Sequence, residues 1–282
     1  MEGGSSHMDQ YIHSFIYGLI AGLAEILPIS SYAHQQIYRY LFDYRPNEWI
    51  KLFTLAGSIT ALILCNHRQI RLLLREYRLS KPSRRRKSHP PDQRAVLTVR
   101  ICRSALLPIM LSIFIYPFAV RWVNSFLLLA IMLFFNGLIL FLPRLVPSGD
   151  KDCFTMTRLD NIIIGLAGAL GVIPGFSRVG CVASFAAARG TKVQFAIEIA
   201  LLITLLPMLL LFGLTLISAL LSGIIPSGLT VLYGVIAMAA SFGGAYVGIK
   251  LITFIAHKSG ISGFAYYSWG AAVLAFTLFL IV

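Results

Sequence analysis

The stretch "GLAEILPISSYAHQ", Gly22 to Gln35, sets a carboxylate (Glu25), two adjacent hydroxyls (Ser30, Ser31), an imidazole (His34) and a proline (Pro28) inside an apolar run. A carboxylate at membrane depth is costly and is by default a functional hypothesis. Glu25 fits three roles: a metal ligand, a proton acceptor, or the partner of Arg178. Ser31 and His34 lie three apart, so on a helix they share a face. There His34 could take the serine proton and make Ser31 a nucleophile.

A second polar stretch, "PGFSRVG", runs from Pro174 to Gly180. The Arg178 guanidinium can hold phosphate oxygens through a two-pronged set of hydrogen bonds. Gly175 and Gly180 would let backbone approach a ligand closely. A helix starting after the break would add free N–H groups that favour an anion. The alternative for Arg178 is a plain counter-ion to Glu25. Ser30, Ser31, His34 and Ser177 are individually weak signals, because serines in membrane helices usually bond back to the backbone. Their combination carries the reading.

The elements that must position these residues are membrane helices. The chain has 282 residues, of which 57% are hydrophobic and 12% charged, with a mean hydropathy of +0.79. Soluble domains are about a quarter charged. Six runs are long enough to cross about 30 Å of hydrocarbon: Trp49–Cys65, Ser104–Val120, Phe126–Leu142, Phe195–Leu221, Leu229–Ile255 and Gly263–Val282. Two regions, Tyr11–Phe42 and Asn161–Arg189, are interrupted at Pro28 and at Pro174–Arg178. Irregular backbone at membrane depth survives only when buried in protein or lining a wet cavity. Both regions are therefore expected to be re-entrant helix–loop–helix hairpins.

The two interruptions match. "GLAEILPISS" from Gly22 and "GALGVIPGFS" from Gly168 share the Gly–Pro–Ser spacing, which pairs Pro28 with Pro174 and Ser31 with Ser177. The net charge of +13 is concentrated: twelve of the 24 Lys/Arg lie between His67 and Arg103. By the positive-inside rule this basic loop, 67–103, is cytoplasmic, with acidic lipid headgroups as a further contact and nucleic acid excluded as a partner. Alternating the spans from there makes the hairpins enter from opposite faces and leaves both termini outside. This is the inverted-repeat layout with a site near the midplane. The expected fold is thus an all-α integral membrane protein of about six transmembrane helices plus two re-entrant hairpins. A single membrane domain, 9–282, is divided into a first repeat at about 9–142 and a second at about 158–282. "MEGGSSHM", residues 1–8, reads as the remnant of an expression tag, and no cleavable signal peptide is expected. The four cysteines show no metal or disulfide spacing.

"EILPISSYAH" and "PGFSRVG" resemble the paired motifs of the undecaprenyl-diphosphate phosphatase family, also called the bacitracin-resistance family, and the resemblance covers nearly the whole chain after residue 8. It implies a polytopic plasma-membrane enzyme of bacterial type that removes the terminal phosphate of a C55 polyprenyl diphosphate, with cell-wall lipid recycling as its role. It implies Ser31 as nucleophile, His34 as its proton partner, Arg178 as phosphate clamp with Ser177, Ser30, Gly175 and Gly180 around the phosphate, and Glu25 as the second acid of an acidic pair. The first acid of that pair is Ala21 here, so a Mg²⁺ or Ca²⁺ ion would have Glu25 as its one carboxylate. Other polar family positions are Tyr32, Gly168, Val179 and Val182. Three functions stay open: a divergent phosphatase, a polyprenyl-phosphate translocase using the same anion site, and a regulatory protein with a vestigial site. A homodimer is also left open.

Overall fold

The computed structural model describes residues 7–79, 92–122, 125–258 and 260–281. In chain order the helices are α1 (His7–Ile26), α2 (Ser31–Leu41), α3 (Glu48–Cys65), α4 (His67–Leu79), α5 (Gln93–Trp122), α6 (Phe126–Phe141), α7 (Arg158–Leu170), α8 (Arg178–Ala188), α9 (Val193–Leu221), α10 (Gly228–Lys258) and α11 (Phe264–Ile281). No strand occurs among the described residues. Among the described residues six helices are long and apolar enough to cross a membrane, and the protein is an all-α integral membrane protein. Residues 1–6 lie outside the described residues, whereas His7 and Met8 continue α1.

One expectation changes. The segment 67–103 is not a loop throughout. His67–Leu79 is the helix α4, and α5 begins at Gln93, so Arg94, Arg100 and Arg103 sit on a helix. The expected span Ser104–Val120 lies within α5, which begins eleven residues earlier at Gln93. Arg94 reaches Glu198 on α9 at 3.0 Å, which gives this basic turn a partner that composition could not show. The rest of the basic segment, 80–91, lies outside the described residues.

Local chemistry accounts for the helix ends that matter. α1 stops at Ile26, just before Leu27–Pro28, since the residue ahead of a proline is driven away from helical backbone. α7 starts with a reciprocal cap in which Thr157 Oγ1 accepts from the Asp160 amide at 3.2 Å and Asp160 accepts from the Thr157 amide at 3.0 Å. Asp160 is wholly buried and also pairs with Lys151 at 3.0 Å and Arg189 at 2.7 Å, tying α7 to the end of α8. Asp160→Asn is expected to lower stability by about 1.5–3 kcal/mol, the range for hydrogen bonds to a charged group. A thermal melt in detergent checks this, and an unchanged midpoint would show that the cluster is not stabilising.

The helices pack with partners exchanged between the two halves of the chain. α1 and α3 pack along α10, α7 and α9 pack along α5, and α6 pairs with α11. α1 meets α10 closely because Gly18 and Gly22 present bare backbone: a Cβ at either would lie 2.3 or 2.1 Å from the carbonyl oxygen of Ala237 or Ser241. Small residues four apart allow such approach where lipid supplies no hydrophobic driving force between helices.

Candidate functional site

Both interruptions have the same construction: an apolar helix, a proline break, a serine cap and a second helix. In the first, Ser30 has extended backbone (φ −74°, ψ 113°) and its Oγ accepts from the Ala33 amide at 3.2 Å, so Ser31 opens α2. In the second, Ser177 accepts from the Gly180 amide at 3.0 Å and Arg178 opens α8. The caps therefore pair Ser30 with Ser177, not Ser31 with Ser177. The first break is one residue shorter after its proline. By position in the helix, the counterpart of Arg178 is Ser31.

The breaks touch. Ser177 Oγ donates to the Leu27 carbonyl at 3.3 Å, and Arg178 Nη1 donates to Glu25 Oε2. The second break is also anchored from α6: the Ser177 amide donates to Asn136 Oδ1 at 2.9 Å, and Asn136 Nδ2 donates to Ser268 Oγ on α11 at 3.0 Å. A buried amide engaged through both its oxygen and its nitrogen fixes an irregular turn.

Between the breaks lies a cavity of about 130 Å³ lined by Ala21, Glu25, Ser31, Gln35, Lys51, Tyr116, Pro174 and Arg178, among others. The N-terminal residues of α2 and α8 thus face one space, and a helix N-terminus favours an anion. Glu25 is buried and Arg178 nearly so, with side-chain exposures of 6% and 14%. The Arg178 Nε is buried and has no hydrogen-bond partner among the described residues. Of the expected site residues, Ser31, Glu25 and Arg178 are brought together.

The others have different places. Ser30 and Ser177 are caps, and neither is among the cavity-lining residues. Gly175 serves the turn, with φ +97° and a hypothetical Cβ only 2.3 Å from Met132 Cβ. Gly180 packs against Leu140 and its own cap. Neither glycine lines the cavity. His34 does not hydrogen-bond Ser31. Its Nδ1 donates to the Ser30 carbonyl at 2.7 Å, so Nε2 faces the Tyr267 hydroxyl at 2.7 Å, with the two rings stacked at 5.6 Å. Ser31 Oγ instead accepts from Gln35 Nε2 at 2.8 Å, and Gln35 Oε1 accepts from Tyr17 at 2.6 Å.

Gln35, Lys51, Tyr116 and Asn136 are missing from the sequence reading. Lys51 and Asn136 carried a signal, being polar groups inside otherwise apolar runs. Gln35 lies one turn after Ser31, a spacing as good as that of His34. Tyr116 carried none.

A divalent cation is a poor match for the donors present. Mg²⁺ and Ca²⁺ want several oxygen ligands. Among the described residues Glu25 is the one carboxylate lining the cavity, it is already paired with Arg178, and Ala21 lies one turn before it. Among the described residues no group of three His, Cys, Asp or Glu side chains could hold a metal.

The family described as "Bacitracin resistance protein BacA" matches residues 14–274. Similar curated proteins include "Undecaprenyl-diphosphatase" of Methanobrevibacter smithii, 26% identical over 94% of this chain and 96% of that one. The protein of the same name from Carboxydothermus hydrogenoformans is 26% identical over 91% and 92% of the two chains. "Undecaprenyl-diphosphatase 2" of Halalkalibacterium halodurans is 26% identical over 95% and 96%.

Proposed function

Because the chain belongs to the bacitracin resistance protein BacA family, we propose that it is a membrane hydrolase that removes the terminal phosphate of a long polyprenyl diphosphate, leaving the monophosphate lipid. The observation that carries this reading is the single cavity faced by Ser31, Glu25 and Arg178, at which the first turns of α2 and α8 converge. The apolar tail stays in the lipid, so only the diphosphate has to meet protein. Surrounding lipids are the other partner.

In this mechanism Arg178 holds the terminal phosphate, and the helix N-termini favour its negative charge. Ser31 Oγ attacks the terminal phosphorus, the bond to the bridging oxygen breaks, and the prenyl monophosphate leaves. Water then cleaves the serine phosphate and releases inorganic phosphate. His34 takes the serine proton only after its Nε2 has left Tyr267. Catalytic hydrogen bonds often tighten only once substrate is bound. Gln35 holds Ser31 Oγ in place until then. No step runs through a metal ion.

The exchange of packing partners between the halves supports inverted repeats with hairpins entering from opposite faces. The basic segment is then cytoplasmic and the termini outside. Phosphate release from a long-chain prenyl diphosphate in detergent tests the activity. A second reading, translocation of a polyprenyl phosphate, is favoured by one observation: Glu25 is neutralised by Arg178 while His34 is engaged away from Ser31, which suits binding better than turnover. Lipid binding without phosphate release would select it.

Ala21 is fully buried, lines the cavity and lies one turn from Glu25. Ala21→Glu would add the missing carboxylate, and is expected to make phosphate release rise severalfold on adding Mg²⁺ or Ca²⁺ where the parent responds less. Equal responses of parent and variant would remove the acid pair from the explanation.

A further inference from the structure

Lys51 faces the same cavity as Ser31, Glu25 and Arg178. It sits in the first turn of α3, which Asn47 caps through the Ile50 amide at 2.9 Å. Its Nζ lies 2.7 Å from Glu48 Oε1, three residues away on the same helix, and both side chains are about a third exposed (30% and 33%). An ion pair so exposed contributes little, and it can be exchanged for a phosphate at small cost. The Arg178–Glu25 pair is different. It is buried, and Arg178 has further donors to offer while keeping Glu25.

Among the described residues the charges lining the cavity are two cations, Arg178 and Lys51, and one carboxylate, Glu25, with Glu48 outside the lining as the partner of Lys51. A resident divalent cation would meet two like charges and a carboxylate already engaged. A diphosphate would meet two cations on different helices, one for each phosphate. We infer that Lys51 is the second cationic contact of the lipid diphosphate, and that the site binds its lipid without a divalent cation. This deepens the anion-site reading of the proposed function and rests on it. The Lys51 ammonium supplies the positive charge that a bound metal would otherwise bring, and Glu48 holds the lysine until substrate replaces it.

The test is equilibrium binding of a fluorescent long-chain prenyl diphosphate to the full chain in detergent, in EDTA and in Mg²⁺, with phosphate release followed in parallel. The parent is expected to bind equally well in both buffers. Lys51→Gln should weaken binding roughly tenfold, the scale of one lost charge-assisted contact, and Lys51→Arg should restore most of it. Loss of parental binding in EDTA overturns the inference, and so does Lys51→Gln binding like the parent. The EDTA comparison needs no variant and stands even if Lys51→Gln fails to fold. A parent that binds in EDTA, needs Lys51 and releases no phosphate upholds Lys51 while sinking hydrolysis. Binding lost in EDTA together with phosphate release in Mg²⁺ does the reverse.

Discussion

Ser31→Ala is expected to lower phosphate release by roughly a thousandfold or more, the scale seen when a nucleophile is removed, while lipid binding persists. The side chain lines the cavity at the first position of α2 and bears no capping duty, since Ser30 performs that. Its removal should therefore leave the break intact. Among the described residues the one side-chain bond lost is that from Gln35 Nε2, and Gln35 stays tied through its Oε1, which accepts from the Tyr17 hydroxyl. Ser30→Ala makes the contrast. It removes the cap and should cost about 1 kcal/mol of stability with a smaller effect on turnover per folded molecule. If Ser31→Ala hydrolyses the lipid like the parent, the nucleophile is misassigned. If Ser30→Ala is the dead variant and remains folded, the roles of the two serines are exchanged.

The two helix breaks that border the candidate site were legible because they depend on local chemistry. Pro28 and Pro174 must interrupt helices wherever they fall, and each is followed within three residues by a serine able to cap a new helix. A pairing of Glu25 with Arg178 was one of three roles open to Glu25, beside metal ligand and proton acceptor, and it answers the cost of leaving either charge alone in an apolar surround. What was not legible depends on distant neighbours. Ser31 has both His34 and Gln35 one turn ahead of it, and spacing alone does not choose between them. The choice is made by Tyr267, on α11, which draws the imidazole away. Which of two adjacent serines caps is a matter of backbone angles, and this moved the repeat match by one residue. The start of α5 was hidden because arginines read as a loop until Glu198 on α9 gives Arg94 a partner. Tyr116 reaches the cavity only through the packing of α5, and its own neighbours in sequence are as apolar as those of any lipid-facing residue.

Arg178→Lys should weaken binding of the lipid diphosphate by about 1.5–3 kcal/mol, the value of hydrogen bonds to a charged group, or roughly ten- to 150-fold in Kd. Charge is preserved in this variant, so the loss measures geometry. The guanidinium spends Nη1 on Glu25 and still presents further N–H groups from the same plane, whereas an ammonium is a single point. A lysine here must choose between the buried carboxylate and the phosphate. Leaving Glu25 charged and unpaired is costly, so the ammonium stays with Glu25 and the phosphate loses its contact. Glu25→Gln separates this from a general loss of folding. With the carboxylate gone, Arg178 is free to give its whole fork to the lipid, and binding should tighten. It would weaken instead if Glu25 held a cation that bridges to the phosphate. A tighter Glu25→Gln together with a weakened Arg178→Lys would fix Glu25 as the counter-ion that holds the clamp ready. Unchanged binding in Arg178→Lys would remove Arg178 from the site.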